Sequence, residues 1–345
     1  MRYAMVNAVV ADIERRLHAS PAAAPGTGDL HLELAQNTDS LDRLVGCNFY
    51  SLHLPTRSPG WTYKNPSIAI NPAGGYYCAV RYSSWPVVKY FATHSEVVIV
   101  SLSDRMEVTE CRHVAPLSRE TRSRRYSTFG PEDMRLFRAH GRWFGTASFL
   151  DAPECVVDGA FWTRMGLLSF DDTFQWTSLA ILPGRVSQHE KNWMPIEGGL
   201  DWLYTPHNTL RCTIVPGTTK LAYYAPQTTP RELRFSRGST QIVNINADYA
   251  LGVVHDTVTC VPDAQSRQHG YHRAYMHRFV LYRRQPFCVA AVSPPFHFLT
   301  QCSVEFAAGL AYTAGKLFVS FGHHDLTSWI AQVRLADVLK VMRAV

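Results

Sequence analysis

One pattern recurs along this chain and leaves few folds open to it: polar residues, a short apolar stretch, a tight turn carrying glycine, and a second apolar stretch. Asn65–Ile70 leads through Asn71–Gly75 to Tyr76–Arg81, and Glu132–Phe137 leads through Arg138–Gly141 to Arg142–Ala147. Glu190–Ile196 leads through Glu197–Gly199 to Leu200–Tyr204, and Glu305–Ala311 leads through Tyr312–Gly315 to Lys316–Gly322. A looser fifth copy, Asp248–His255, matches the second stretch of a pair and is followed by Arg273–Leu281. Short apolar runs joined by glycine turns are β-hairpins. A recurrence of about 50 to 70 residues suits blades of four strands. Five such units over roughly 300 residues predict an all-β chain, a five-bladed β-propeller. The innermost strand of each blade would line a central channel, so the polar heads should converge on one pocket. A β-sandwich, the alternative, gives those heads no shared reason.

The ends read differently. Val6, Val9, Val10, Ile13 and Leu17 fall at helical spacing, so 3–18 is expected to be an amphipathic helix. Ser20–Gly28 is a linker by composition, which makes 1–28 a helical extension and 29–345 the propeller. The helix is either a clamp on the main body or an association element that would make the chain a homo-oligomer. Leu335–Met342 has helical spacing and is expected to pack outside the propeller.

A hydrophobic content of 46%, with 12% aromatic, is enough for a large core. The formal net charge of +6 admits phosphate-bearing substrates. The one basic run, Arg119–Arg125, lacks the length and aromatic interleaving of a nucleic-acid footprint, so no nucleic-acid partner is expected. None of the eight cysteines forms Cys-x-x-Cys, and several sit in apolar runs, as in Tyr77-Cys78-Ala79-Val80. Buried reduced thiols are expected, with no disulfide framework and no zinc site. Asp12, Glu14, Arg15 and Arg16 interrupt the N-terminal apolar stretch, and no apolar run is long enough to span a bilayer. The expectation is a cytoplasmic chain without a membrane partner.

If the heads converge, the pocket holds Asn65, Arg81, Glu132, Asp133, Arg135, Glu190, Lys191, Asn192, Trp193, His255, Glu305, His323, His324 and Asp325. Carboxylates, bases and an indole in one cavity suit a sugar: acids for proton transfer, a ring to stack on a pyranose, cations for a phosphate. Asp133 is the candidate acid. Arg135, two residues on, would lower its pKa unless burial or Glu132 opposes, and the pair could equally brace a hairpin. Lys191 is a phosphate ligand or a rim charge. His255 is a sugar contact or a satisfied structural histidine, and Asp325 reads as a turn residue. His323-His324 has no spaced carboxylate or cysteine, so no metal is expected there. Neither a dinucleotide fingerprint, a P-loop nor a nucleophile elbow is present.

The order Asn65-Pro66, Glu132-Asp133-Met134-Arg135, Glu190-Lys191-Asn192-Trp193, Val253-Val254-His255 and Glu305–Leu310 to Phe321–Asp325 resembles the glycoside hydrolase family 130 propellers. It also resembles their relatives, the β-1,2-mannosyltransferase/phosphorylases of glycosyltransferase family 108. The likeness covers about residues 60 to 335 and leaves the N-terminal helix outside. It implies an inverting enzyme acting on β-mannosidic bonds with no organic cofactor, using inorganic phosphate or an activated mannose. The partners implied are a mannose-containing oligosaccharide, mannose 1-phosphate or a nucleotide-mannose. It makes Asp133 the general acid, acting through a sugar hydroxyl. Lys191 and Arg81 would bind phosphate. Asn65, Arg81, Glu132, Arg135, Glu190, Asn192, Trp193, His255, Glu305 and Asp325 would bind the substrate.

Two departures stand out. Met134 replaces a proline, which changes local stiffness. More seriously, Tyr204-Thr205-Pro206-His207 stands where the family's phosphorylases carry a His-Arg pair. One phosphate-binding arginine is then missing unless Arg164 or Arg211 replaces it. Mannosyl transfer, hydrolysis by water, and sugar binding without turnover are the three activities this leaves.

Overall fold

The computed structural model describes residues 38–55, 57–84, 93–114, 128–150, 152–157, 160–184, 188–206, 210–214, 221–224, 230–259, 273–301 and 303–345. The expected N-terminal helix and linker, the basic run Arg119–Arg125 and His207 lie outside them.

Among the described residues, five sheets carry four or more strands, and they follow one another along the chain. The first is built from Trp61–Ile70, Tyr76–Ser84, Thr93–Leu102 and Val108–Val114. The second is built from Glu132–Ala139, Arg142–Phe149, Arg164–Phe170 and Trp176–Ile181. Met194–Ile196, Asp201–Thr205, Leu210–Ile214 and Leu221–Tyr224 make the third. Tyr249–Thr259, Arg273–Arg284 and Phe287–Val292 dominate the fourth. Glu305–Thr313, Lys316–His323 and Thr327–Arg334 make the fifth, whose outer strand is Asn48–Ser51, from the opposite end of the described chain. The expected hairpins are all present. Four of them are tight because a glycine or short polar turn joins strands that pair in antiparallel register, as in Ile70 opposite Tyr76 and Ala139 opposite Arg142.

Alternation of side chains explains why these strands read as continuous apolar runs. Val97 and Ile99 point to one face of the first sheet and pack with Leu136, Trp143 and Leu168 of the second. Val98 and Val100, one residue out of phase, pack on the other face with Phe318 and Ile330 of the fifth. The same division holds between the second and third sheets, around Trp193 and Trp202, and between the third and fourth, around Met194 and Val254. The last cluster joins the fourth and fifth. Each apolar core thus lies between two neighbouring sheets, and the sheets stand about a common axis in a propeller-like ring. Strand Asn48–Ser51 ties its two ends together.

The sequence reading needs correction at two strands. The expected strand over Glu190–Ile196 is regular only at Met194–Ile196, because Asn192 takes a left-handed φ of 63° and breaks the extended run. The inner edge of the fourth sheet is made by two short segments, Arg237–Gly238 and Val243–Asn244, both paired with Tyr249–Thr259. Leu335–Val341 is helical as expected, with Leu335, Val338 and Leu339 buried against the fifth sheet and Leu41.

Candidate active site

The inner strands run side by side in the same direction, as the parallel bridges Ala139–Gly198 and Ile196–Ile242 require. Their leading residues therefore meet at one end of the axis. Three of these leading residues, Asn65, Asp133 and Asn192, share a left-handed backbone, with φ of 51°, 50° and 63°. Asn and Asp tolerate that region better than other residues with a Cβ. The strand register slips between Lys64 and Ser67 and between Glu132 and Arg135, so each bulge turns its polar side chain out of the ladder.

Asp133 sits where they meet. Its Oδ1 accepts from Asn65 Nδ2 at 2.8 Å and from Arg81 Nη1 at 3.2 Å. Arg81 also donates to Glu132 Oε1 at 2.6 Å and to Ser95 Oγ at 3.0 Å. Lys191 Nζ reaches Glu132 Oε2 at 3.3 Å. Burial works to raise the pKa of Asp133, but Arg81, the Asn65 amide, Arg135 and Lys191 together hold it at about 2. Arg81 is held above the usual range: burial opposes its charge, and Glu132, Asp133 and Asp325 more than offset that. The Asp133 side chain keeps 24% of its surface exposed and Lys191 keeps 49%, so an acid and a cation are both accessible to solvent here.

Beneath them Arg135 is fully buried and spends its guanidinium on the protein. It donates to Ser239 O at 2.7 Å, Asp133 O at 2.7 Å and Asn192 Oδ1 at 3.0 Å, and it lies over the Phe306 ring. Three heads are thereby locked to one cation. Burial lowers its pKa to about 10, which leaves it charged at neutral pH. His255 is 2% exposed, bonded to Ser239 Oγ at 2.8 Å and packed on Tyr275 and Phe306. Burial, with His277 and nearby arginines, pushes its pKa well below the ordinary value, so the ring is neutral.

Of the expected site residues, Asn65, Arg81, Glu132, Asp133, Arg135, Lys191 and Asn192 are brought together by direct contacts. His255 joins this network through Ser239. Asp325 acts on Arg81 and Lys64 through its charge. Three others lie behind the site. Trp193 is 1% exposed, packed among Trp202 and Tyr204, and offers no ring face to a sugar. Glu190 is taken up by Trp193 Nε1 and by the Tyr204 hydroxyl, at 3.2 and 2.6 Å. Glu305 is fully buried and accepts from the backbone N–H groups of Phe298, Leu299 and Thr300 at 2.6 to 2.9 Å. Arg164 donates to Gln188 O, and Arg211 lies on Phe287, so neither is among the groups contacting Asp133. Tyr204 in the departing segment is committed to Glu190.

Lys64 and Tyr275 escaped the sequence reading. Lys64 is 5% exposed and stands directly opposite Arg81 in the strand register. Burial lowers its pKa, against the pull of Asp325, Asp133 and Glu132. The repeated dipeptide Lys64-Asn65 and Lys191-Asn192 was the available signal.

Solved structures share this architecture. A member of the GH130 family of mannoside phosphorylases, described as containing glycoside hydrolases that target β-1,2 mannosidic linkages in Candida mannan, superposes with a TM-score of 0.59 at 11% identity, over 86% of this chain and 96% of the other. The β-1,2-mannobiose phosphorylase of Listeria innocua superposes at 0.55 and 12% identity, over 85% and 98%. A mannose phosphorylase from Leishmania mexicana, solved with a phosphate ion, superposes at 0.51 and 14% identity, over 83% and 88%. The fold is that of the GH130 mannoside phosphorylases. No family profile and no curated protein matches the sequence. The GH130-like fold is therefore carried by a sequence only 11–14% identical to these structures.

Proposed function

We propose that the chain is an inverting mannosyl-transferring enzyme, a β-1,2-mannoside phosphorylase or mannosyltransferase, whose five large sheets act as five blades around the axial site. The observation that carries this reading is Asp133: a partly exposed carboxylate on the axis, oriented by Asn65 and Arg81, with the Lys191 ammonium held by the adjacent Glu132. Similarity to structures of mannoside phosphorylases supports the choice of sugar.

In the proposed reaction the glycosidic bond between C1 and its bridging oxygen breaks as a phosphate oxygen attacks C1 from the opposite face. Asp133 supplies the proton that the departing oxygen needs, through a sugar hydroxyl, and the proton of the incoming hydrogen phosphate restores it. Lys191 and Arg81 hold the phosphate, while Asn65 and Asp325 hold the sugar. With a pKa of about 2 the free enzyme keeps Asp133 ionised. The proton must therefore arrive with the substrates, and an anion beside Arg81 and Lys191 raises the carboxylate's affinity for it by cancelling their field. Six described cysteines keep their thiols, which accords with a reducing compartment, and we place the enzyme in the cytoplasm.

Hydrolysis is the second reading, favoured by the Tyr204-Thr205-Pro206 segment in place of an arginine-bearing one. Incubating β-1,2-mannobiose with and without phosphate separates the two. Phosphate-dependent release of α-mannose 1-phosphate is expected. Free mannose produced equally in both tubes would replace transfer to phosphate with hydrolysis, and an untouched disaccharide would count against both.

A further inference from the structure

The inner strands have a second end. Four to seven residues past the polar heads, roughly 13 to 23 Å at the rise of a β-strand, the same strands open into a cavity of about 330 Å³. That is the low end of the range for small-molecule sites. Neither Asp133 nor Arg135 is among its lining residues. Arg135 closes the axis from above, and Gln241 closes it from below by donating both amide hydrogens, to Ile68 O at 2.7 Å and Leu310 O at 2.8 Å.

We propose that this far mouth is a second binding site, for an uncharged glycosyl residue, separate from the cluster at Asp133. Its lining joins the two surfaces that a pyranose presents. Ile70, 37% exposed although apolar, and Tyr312 supply a face for ring C–H groups. Arg138, Glu197 and Asn244 supply donors and acceptors for hydroxyls. The bridge Ala139–Gly198 sets Arg138 and Glu197 side by side on neighbouring strands, so the rim carries one cation and one anion with no net charge. The Asp133 end differs, with four cations (Lys64, Arg81, Arg135 and Lys191) against three carboxylates. A neutral ligand suits the first and an anion suits the second.

The polar groups are also set in advance. Asn244 N donates to Glu197 Oε2 at 2.7 Å, and its side-chain amide donates to Glu197 O at 3.3 Å. Arg138 donates to Gly141 O at 2.7 Å and stacks on Trp143, which lines the cavity. A second observation points the same way. Gln241, 3% exposed and part of the cavity lining, has no partner for its Oε1, an acceptor that a ligand hydroxyl or a water beneath it would satisfy. The choice of mannose as the glycosyl residue rests on the proposed function, whereas the rim alone asks for a neutral polyhydroxyl ring.

Calorimetric titration of β-1,2-mannobiose into the full-length Asp133→Asn protein tests the site without turnover. Two equivalents should bind. Adding Tyr312→Ala, or in its place the surface change Glu197→Gln, should weaken one of them by roughly tenfold or more and leave the other. In the otherwise wild-type protein, neither change should alter kcat/KM for the disaccharide. A single equivalent insensitive to both rim changes, or no binding, overturns the proposal. A single equivalent that both rim changes abolish upholds it and removes support from the function assigned to the Asp133 end.

Discussion

At Asp133 the cost of the arrangement is electrostatic. Arg81 bridges Glu132 and Asp133 with little exposure, so replacing it leaves Glu132 to Lys191 and Asp133 to the Asn65 amide. Arg81→Met should therefore cost about 3 kcal/mol at neutral pH, read as a lowered urea midpoint, and should move the Asp133 pKa up from about 2. A midpoint unchanged from wild type would show that the pairs contribute nothing. A second residue sets the acid limb of stability. Burial, then His297, lowers His277 from the ordinary 6.5 to about 3. Between those values the unfolded chain binds a proton that the folded chain refuses. The contribution is thus complete above pH 6.5 and is lost as the pH falls toward 3, on the order of 5 kcal/mol in all. Urea midpoints measured from about pH 7 down to about pH 4 should fall less steeply in His277→Gln than in wild type. Equal slopes would assign the acid sensitivity to other groups.

Among the elements, the bulged heads decide how the site is built, and they also mark where the sequence was legible. Hairpins announced themselves because their inner strands are largely buried on both faces and four of the turns carry glycine. The contacts among Asn65, Asp133 and Arg81 followed from polar residues placed ahead of such strands. Trp193 and Glu190 looked equally functional, yet the left-handed turn at Asn192 sends the indole between the second and third sheets, and no local pattern reveals that reversal. The inner segments of the fourth sheet were hidden for a different reason. Arg237-Gly238-Ser239-Thr240 has no apolar alternation, and Gly238 is there because a Cβ would strike the backbone oxygen of Asn192. Gly322 plays a similar part against Asn65, whose side-chain oxygen and backbone nitrogen occupy the space a methyl would need. Gly322→Ala should displace the Asn65 amide from Asp133 and lower kcat by roughly tenfold or more, with a smaller effect on KM. Unaltered kinetics in a folded Gly322→Ala protein would show that Asn65 does not orient the acid.

For the whole molecule, the ring explains how so little sequence identity can preserve one fold. Five cores, each shared by two neighbouring sheets, fix where the inner strands lie, and side chains within a core can be exchanged while their volume and pattern are kept. What must persist is the set of turns that brings the heads to the axis. The reaction proposed there depends on a few groups that the fold alone does not specify. The rate of β-1,2-mannobiose phosphorolysis by Asp133→Asn, with its urea midpoint recorded alongside, bears on that directly. Asparagine keeps the left-handed backbone and the space of the carboxyl but cannot hold the proton, so kcat should drop roughly 10²–10⁴-fold while the folded ring survives. A folded Asp133→Asn protein that turns over at the wild-type rate would contradict the account.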